Sequence, residues 1–307
     1  MQPKIDILMA TYNGEQYLPV QLRSLQNQTY RNWRLLVHDD ASTDATLSVL
    51  RDFAARDERI VLVEDDVVFR SAALNFLHLL QFSDSPFAIF CDHDDLWLEN
   101  KLELLYAAIS QRDNSLPQAV CCNAYMYDTE SGDVGGYSIP FYVTSLKQQL
   151  FCNGGMQGCS VLFNAPLRDI CRQKPKTVAM HDHLLTLAAL TFGQLTGIPQ
   201  RLMLYRRYQG TVTDYTDRHL GDRIRHFFAA GKTVLDRRHY EATKSFFELH
   251  RDAMSEEAVR LYEDFFRFQH RGRLRNAFAA LRRGYSLYGR TSILFVKLLL
   301  RPLMQRE

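Results

Sequence analysis

Short apolar runs alternate with helix-spaced stretches through the N-terminal part of the chain, and few architectures can absorb that alternation. Residues 5–10, 33–37, 60–63, 87–91 and 118–125 read as strands. Between them, residues 15–28, 41–56, 71–82 and 100–112 read as helices, the first carrying Tyr17, Leu18, Leu22 and Leu25 at helical spacing. Ser42, Thr43 or Asp44 can cap the second helix. The pattern predicts an α/β layer with a mostly parallel sheet flanked by helices. Ligands of such sheets bind beyond the carboxyl ends of the strands. The turn Thr11-Tyr12-Asn13-Gly14, the pair Asp39-Asp40 and the cluster Asp92-His93-Asp94-Asp95 each follow a strand, so all three are expected on one edge.

The acidic cluster says most about chemistry. Carboxylates crowded at a strand end repel one another, and a divalent cation with oxygen ligands, Mg²⁺ or Mn²⁺, holds them together. Such an ion usually completes its shell with phosphate oxygens, which points to a diphosphate-bearing substrate. The plain alternative is a solvated loop ahead of the helix that starts near Glu99. Asp39 and Asp40 can accept hydrogen bonds from a nucleobase or ribose, or one of them can pin the turn while Asp44 caps the next helix. Tyr12 is either a base-stacking ring or core. Asp182, between His181 and His183, is placed to act as a general base for a hydroxyl or as a helix N-cap. As a chelate, the trio is poor, because adjacent residues lack an i,i+4 partner. Arg206 and Arg207 can offset charge on a departing phosphate or sit on a solvated face. The Gly-rich segment 153–158 lacks the Lys of a phosphate-cradling loop, and no G-x-G-x-x-G follows the first strand, which disfavours a dinucleotide fold.

Composition narrows the rest. A length of 307 residues with 46% hydrophobic content supports one large domain or a domain with an appendage. The formal charge of +2 gives no reason to expect nucleic acid. None of the six cysteines forms a C-x-x-C pair, which argues against zinc on cysteine and for reduced thiols in the cytoplasm. Neither a signal peptide nor a transmembrane run is expected. From Arg271 onward the chain holds nine Lys or Arg and one acid, interleaved with apolar residues. That composition suits a helix lying on an anionic membrane surface, a hairpin packed on the main domain, or a homodimer contact.

Taken in order, these segments resemble the inverting family-2 glycosyltransferases of the GT-A fold, and within them bacterial rhamnosyltransferase-like members that build O-antigen or capsule. Ile7-Leu8-Met9-Ala10-Thr11-Tyr12-Asn13-Gly14 resembles the family's first strand and turn. His38-Asp39-Asp40-Ala41-Ser42-Thr43-Asp44 is similar to V-D-D-G-S-T-D, with Ala41 in place of Gly. Cys91-Asp92-His93-Asp94-Asp95-Leu96-Trp97-Leu98 with Lys101-Leu102 resembles S-D-Q-D-D-I-W-L-x-x-K-L, a form of the D-x-D motif. Gly158-Cys159-Ser160 resembles an acceptor-side G-C-S/T, and His181-Asp182 with Leu184-Leu185 resembles H-D-W-W-L. Tyr205-Arg206-Arg207-Tyr208-Gln209-Gly210-Thr211 is similar to Y-R-Q-H-x-x-N without its His and Asn. Arg70 stands where the family usually carries Gly.

The resemblance implies a GT-A catalytic domain over residues 1–215 and a helical C-terminal region over 216–307. It implies metal-dependent inverting transfer of a sugar from dTDP-rhamnose or a UDP-sugar to a hydroxyl of a lipid-linked bacterial surface glycan. Asp182 is then the base. Ala10, Thr11, Tyr12, Glu15, Asp39, Asp40, Asp92, His93, Asp94 and Arg206 bind the nucleotide-sugar. Asp94 and Asp92 take Mg²⁺ or Mn²⁺, with Asp95 in support. Gly158, Cys159, Trp97 and His181 lie toward the acceptor. The implied place is the cytoplasm, peripheral to the inner membrane. Two rivals are a sugar-phosphate nucleotidyltransferase, which needs a basic Gly-rich loop that 11–15 does not offer, and a non-catalytic module binding nucleotide or glycan, which has no need of Asp182.

Overall fold

A computed structural model describes residues 2–207 and 232–305. The strands are β1 (Ile5–Thr11), β2 (Trp33–Asp39), β3 (Ile60–Leu62), β4 (Phe87–Asp92), β5 (Leu96–Trp97), β6 (Gln118–Asp128), β7 (Val134–Gly135), β8 (Val161–Asn164) and β9 (Gln194–Arg207). They form a nine-stranded sheet of order β3-β2-β1-β4-β8-β6-β9-β5, with β7 beside β6. The β3-β2-β1-β4 half is parallel, as the strand–helix alternation requires. β8 then runs antiparallel to both β4 and β6, so the second half is mixed.

The helices cover both faces, and β1 shows how. Ile5, Ile7 and Met9 point to one face, where they meet α1 (Leu18–Gln26), α2 (Thr46–Ala54) and α4 (Lys101–Ile109) through Leu22, Leu50 and Leu105. Leu8 and Ala10 point to the other, toward α3 (Ala72–Leu79) and α7 (His181–Phe192). This alternation of side chains is the period of two expected of a strand buried on both sides. The short α5 (Leu146–Gln149) and α6 (Ala165–Arg172) complete that second face.

One residue interrupts the apolar β1. Asp6 is fully buried, and the Arg34 guanidinium of β2 donates to both its oxygens at 3.0 Å. The Ser83 and Ser85 hydroxyls donate at 2.9 and 2.8 Å, and the Asp84 and Ser85 backbone N–H groups at 3.1 Å. Burial pushes this carboxyl up, but the Arg34 and Ser85 bonds outweigh it and hold the pKa below its ordinary value. Asp6 thereby ties β1 to β2 and to the entry of β4.

The C-terminal part is helical: α8 (Arg237–His250), α9 (Glu256–Phe266), α10 (Arg273–Arg283) and α11 (Thr291–Leu300). It shares one continuous core with the sheet domain, running from Leu8 and Phe90 through Leu184 to Phe246, Tyr262, Tyr285 and Leu294. Phe151 of the sheet domain packs edge-on against Phe265, Phe268 and Tyr285. The expected boundary at 215/216 lies outside the described residues. Among them, no helix is long and apolar enough to cross a membrane.

Ala41 has a left-handed backbone, with φ of 62°, at the turn after β2. A Cβ at such a φ costs roughly 1–2 kcal/mol, partly offset by the lower chain entropy of Ala relative to Gly. We expect Ala41→Gly to stabilise the protein by roughly 0.5–1 kcal/mol in urea unfolding. Unchanged or lower stability would show that the turn is not strained there.

Candidate active site

Because β1, β2 and β4 are in parallel register, their carboxyl ends meet. Thr11 pairs with Asp39, and Ala10 with Asp92. A cavity of about 1620 Å³ opens over that edge. Ala10, Thr11, Tyr12, Asp40, Asp92, His93, Asp94, Gly158, His181, Asp182 and Arg206 line it, so most of the residues singled out from the sequence converge there. Tyr12 is 57% exposed, which excludes the core reading of its ring.

Four expected residues stand outside the lining. Glu15 is turned to the α2 entry, where its carboxylate accepts the Ala45 N–H at 2.7 Å. Asp39 accepts from the Thr11 hydroxyl at 2.7 Å and from the Ser42 N–H and hydroxyl, which pins the β2 turn. Trp97 is buried, with the Lys101 ammonium 3.6 Å above its ring. Cys159 is buried behind Asp92 and Asp95. These side chains build the wall rather than face a ligand. Asp40 does both: it borders the cavity, and its carboxylate accepts the Phe69 and Ser71 N–H groups at 2.6 and 3.1 Å. Asp44 serves the fold alone, accepting from Thr46 and Glu15, with Ala45 as the α2 N-cap.

The acidic loop runs between β4 and β5 and is held from β9. The Arg206 N–H donates to Asp95 Oδ1 at 3.3 Å, and Arg206 Nε donates to the Asp94 carbonyl at 2.6 Å. One possible ligand atom each from Asp92, Asp95 and Cys159 lies within 4.8 Å of the others. Asp95 is 1% exposed, and its Oδ2 has no hydrogen-bond partner among the described residues. Burial pushes the carboxyls of Asp92 and Asp95 up, with repulsion from Asp94 adding at Asp92 and from Asp92 and Asp94 at Asp95, while burial also pushes the Cys159 thiol up. The carboxylates of this loop suit a hard cation on oxygen ligands. Asp92 and Asp94 line the cavity and are the groups that can reach such an ion, with Asp95 behind them.

Asp182 sits in the first turn of α7, whose N-cap is Met180. The cap reading of Asp182 is thereby corrected: the helix begins earlier than the apolar run from Leu184 suggests. Asp182 Oδ1 is buried without a partner among the described residues. Burial pushes the carboxyl up to about 7; the His183 N–H opposes this, and the charge of Asp92 adds to it. The Gly-rich segment makes this possible by close approach. A Cβ on Gly155 would lie 2.1 Å from the Asp182 carbonyl oxygen, and one on Gly158 would lie 2.5 Å from His181 Nε2. His181 packs on Phe76 and Phe90, and burial lowers its pKa to about 3. His183 instead meets His239 of α8. The two imidazoles part company, as expected of a trio that does not chelate.

Part of the lining left no mark in the sequence. Met126, Ile139, Pro140, Phe141, Val143 and Tyr288 contribute apolar surface to the cavity, and Arg238 and His239 of α8 also line it. They come from β6, from loops and from α8, and no periodicity connects them. Tyr208, Gly210 and Thr211 lie outside the described residues.

The sequence model for glycosyl transferase family 2 matches residues 6–171. The UDP-Glc:α-D-GlcNAc-diphosphoundecaprenol β-1,3-glucosyltransferase WfgD of Escherichia coli is 37% identical over 100 residues, 33% of this chain and 38% of that protein. The dTDP-rhamnosyl transferase RfbG of Shigella flexneri is 33% identical over 99 residues, 31% of this chain and 34% of that protein. The chain thus spans little more than a third of the length of these two relatives. The mannosyltransferase PcManGT from Pyrobaculum calidifontis, solved with GDP-Man and Mn²⁺, superposes with a TM-score of 0.55 at 16% identity, over 96% of this chain and 79% of that one. A family model covering more than half of the 307 residues, on a sheet of this topology, leaves one assignment: the chain belongs to glycosyl transferase family 2 and has the GT-A fold.

Proposed function

We propose that the protein transfers a sugar, with inversion, from a nucleotide diphosphate-sugar to a hydroxyl of a lipid-linked bacterial surface glycan. The observation that carries this reading is Asp182: a half-buried residue with a buried carboxylate oxygen that has no partner among the described residues, in the same cavity as the acidic loop. Tyr12 and Asp40 border the base and ribose side. Asp92 and Asp94 hold Mg²⁺ or Mn²⁺, which when bound offsets charge on the leaving diphosphate. Arg206 lies beside them and adds a fixed positive charge. Asp182 takes the proton from the acceptor hydroxyl as it attacks the anomeric carbon, and the nucleoside diphosphate leaves from the opposite face. A single carboxylate is enough, because direct displacement forms no sugar–enzyme bond. The names of RfbG and WfgD make dTDP-rhamnose and UDP-sugars the donors to test first, and the apolar share of the cavity lining favours an acceptor with an apolar portion.

The experiment is a thermal-shift panel of nucleotide-sugars with and without Mn²⁺, followed by turnover with the donor that shifts. Asp94→Asn should lose the Mn²⁺-dependent part of the shift. Asp182→Asn should keep it while turnover falls by roughly 10²–10⁴-fold. Normal turnover in Asp182→Asn would remove Asp182 as the base.

The raised carboxyl pKa has two further consequences. Only the ionised form is a base, so kcat/KM should fall about tenfold per pH unit below about 7, with the limb moving lower when a bound cation neutralises Asp92. Stability runs the other way. The folded pKa lies above the ordinary 3.8, so ionised Asp182 destabilises the fold fully above pH 7. That penalty fades as pH falls from 7 toward 3.8, where the folded and unfolded forms are both protonated. Asp182→Asn should therefore raise the Tm at pH 8 and lose that advantage near pH 4. An equal gain at both pH values would mean that the charge is not what strains the site.

Peripheral attachment to the cytoplasmic face of the inner membrane is part of the same proposal. Leu274, Phe278 and Leu281 of α10 are 66%, 59% and 53% exposed on one helical face, while Asn276, Ala277 and Ala280 pack inward. Arg273, Arg275 and Arg282 flank that face, and their charge matches an anionic lipid surface, while Arg283 is turned away and paired with Asp264. Co-sedimentation with phosphatidylglycerol-containing liposomes should be strong for the intact chain and weak for Leu274→Ser/Phe278→Ser. Equal binding by both, or none by the intact chain, would refute this attachment.

A further inference from the structure

A second cluster of metal-ligating side chains lies on the outer side of the β2 end, away from the acidic loop. His38 is the last residue of β2 before Asp39 and is 1% exposed. Asn75 of α3 fixes its tautomer. The Asn75 amide nitrogen donates to the His38 carbonyl at 3.2 Å, so Asn75 Oδ1, 2.6 Å from His38 Nδ1, accepts that ring N–H. The other ring nitrogen, Nε2, lies 3.1 Å from Asp65 Oδ1. With Nδ1–H committed, His38 Nε2 faces a carboxylate oxygen, and the pair is bridged either by a proton or by a metal cation. The second oxygen of Asp65 is 2.7 Å from Nε2 of His78 in α3. One possible ligand atom from each of these three residues lies within 4.8 Å of the others. The only other hydrogen bond at the carboxylate comes from the Val67 N–H, at 3.1 Å to Oδ1, among the described residues. Phe69 and Phe82 close the cluster with apolar rings.

We propose that His38, Asp65 and His78 form a binding site for a borderline divalent metal of the Zn²⁺ class, distinct from the oxygen-ligand site of the acidic loop. Two imidazoles and one carboxylate suit Zn²⁺, Co²⁺ or Ni²⁺ better than Mg²⁺, with a water completing a tetrahedron. The Asn75 contact is the support that orients a metal-bound imidazole. The site joins three separate elements: the end of β2, the loop after β3 and the last turn of α3. That loop continues into Val68, Arg70 and Ser71, which line the cavity, and Asp40 grips it through the Phe69 and Ser71 N–H groups. A bound ion therefore clamps the wall on the side of Asp40 and Tyr12. Metal binding itself is independent of the proposed sugar transfer; its effect on donor affinity rests on that reading.

The test uses the full chain, stripped with chelator and titrated with Zn²⁺ alone by calorimetry. The same titration is run on Asp94→Asn, which removes the acidic-loop site, and on His78→Ala. One equivalent should bind to Asp94→Asn, with a rise in Tm. His78→Ala, a partly exposed helix residue, should bind roughly 10- to 100-fold more weakly and lose the Tm rise. Co²⁺ in place of Zn²⁺ should give the intense visible absorption of a four-coordinate N/O site in Asp94→Asn and not in His78→Ala. The proposal is overturned if Zn²⁺ does not bind Asp94→Asn, or if His78→Ala binds as well as the wild type; a proton shared between His38 and Asp65 would then account for the geometry. Asp65→Asn is the second variant if His78→Ala fails to fold, and it should show the same loss.

Discussion

The buried carboxylate of Asp6 is the contact on which the arrangement of this molecule turns. It lies at the amino end of the parallel half-sheet, far from the chemistry, and its partners come from β2 and from the three residues that lead into β4. A strand slipped by one residue would turn its apolar side chains to the wrong face. It would also leave this charge buried without Arg34, which typically costs several kcal/mol. Register at the amino end is register at the carboxyl end. The meeting of Thr11 with Asp39, and of Ala10 with Asp92, follows from the pairing that Asp6 enforces six residues or fewer away.

At the opposite edge the electrostatics are reversed. Asp6 is saturated with donors, whereas Asp95 and Asp182 each keep a buried carboxylate oxygen with no partner among the described residues. The frame around them supplies the rigidity that keeps them in place: Arg206 bonds from β9, a buried Lys101 over Trp97, and glycines that let residues 155 and 158 touch the start of α7. Unsatisfied charge held by a satisfied scaffold is how perturbed carboxyls come to cluster where ligands bind.

The parallel half of the sheet and its edge were readable from periodicity, because β1 to β4 are short apolar runs closed by turn residues. The helix starts were less so: α2 begins at Thr46, after the turn built by Asn13, Asp39 and Asp44, and α7 begins at His181, ahead of its apolar run. β9 was the largest omission. Its fourteen residues include Gly197, Pro199 and the adjacent polar pair Gln200-Arg201, and its pairing with β6 slips twice, between Cys121 and Asn123 and between Asn123 and Tyr125. A bulged strand loses the alternation by which a strand is recognised. The residues of the site that follow strands were legible as a set. The motif resemblance also named Glu15, Asp39, Trp97 and Cys159, but a motif records which positions matter and not whether they face the ligand or hold the wall. The part of the cavity lining that comes from Phe141, Arg238 and Tyr288 was beyond any local pattern, since only tertiary packing unites those segments.

That packing has one more consequence. The sheet domain and the C-terminal helices have no seam between them: Phe151 is set among Phe265, Phe268 and Tyr285, and the same core reaches Leu294 and Leu298 of α11. α10 therefore stands in a fixed relation to Asp182, like the foot of a gauge to its needle. Whatever surface α10 rests on, the height of Asp182 above that surface is set by the fold and not by a hinge. On the proposed reading, acceptor hydroxyls would then be sorted by how far they stand from a lipid anchor as well as by their fit in the cavity.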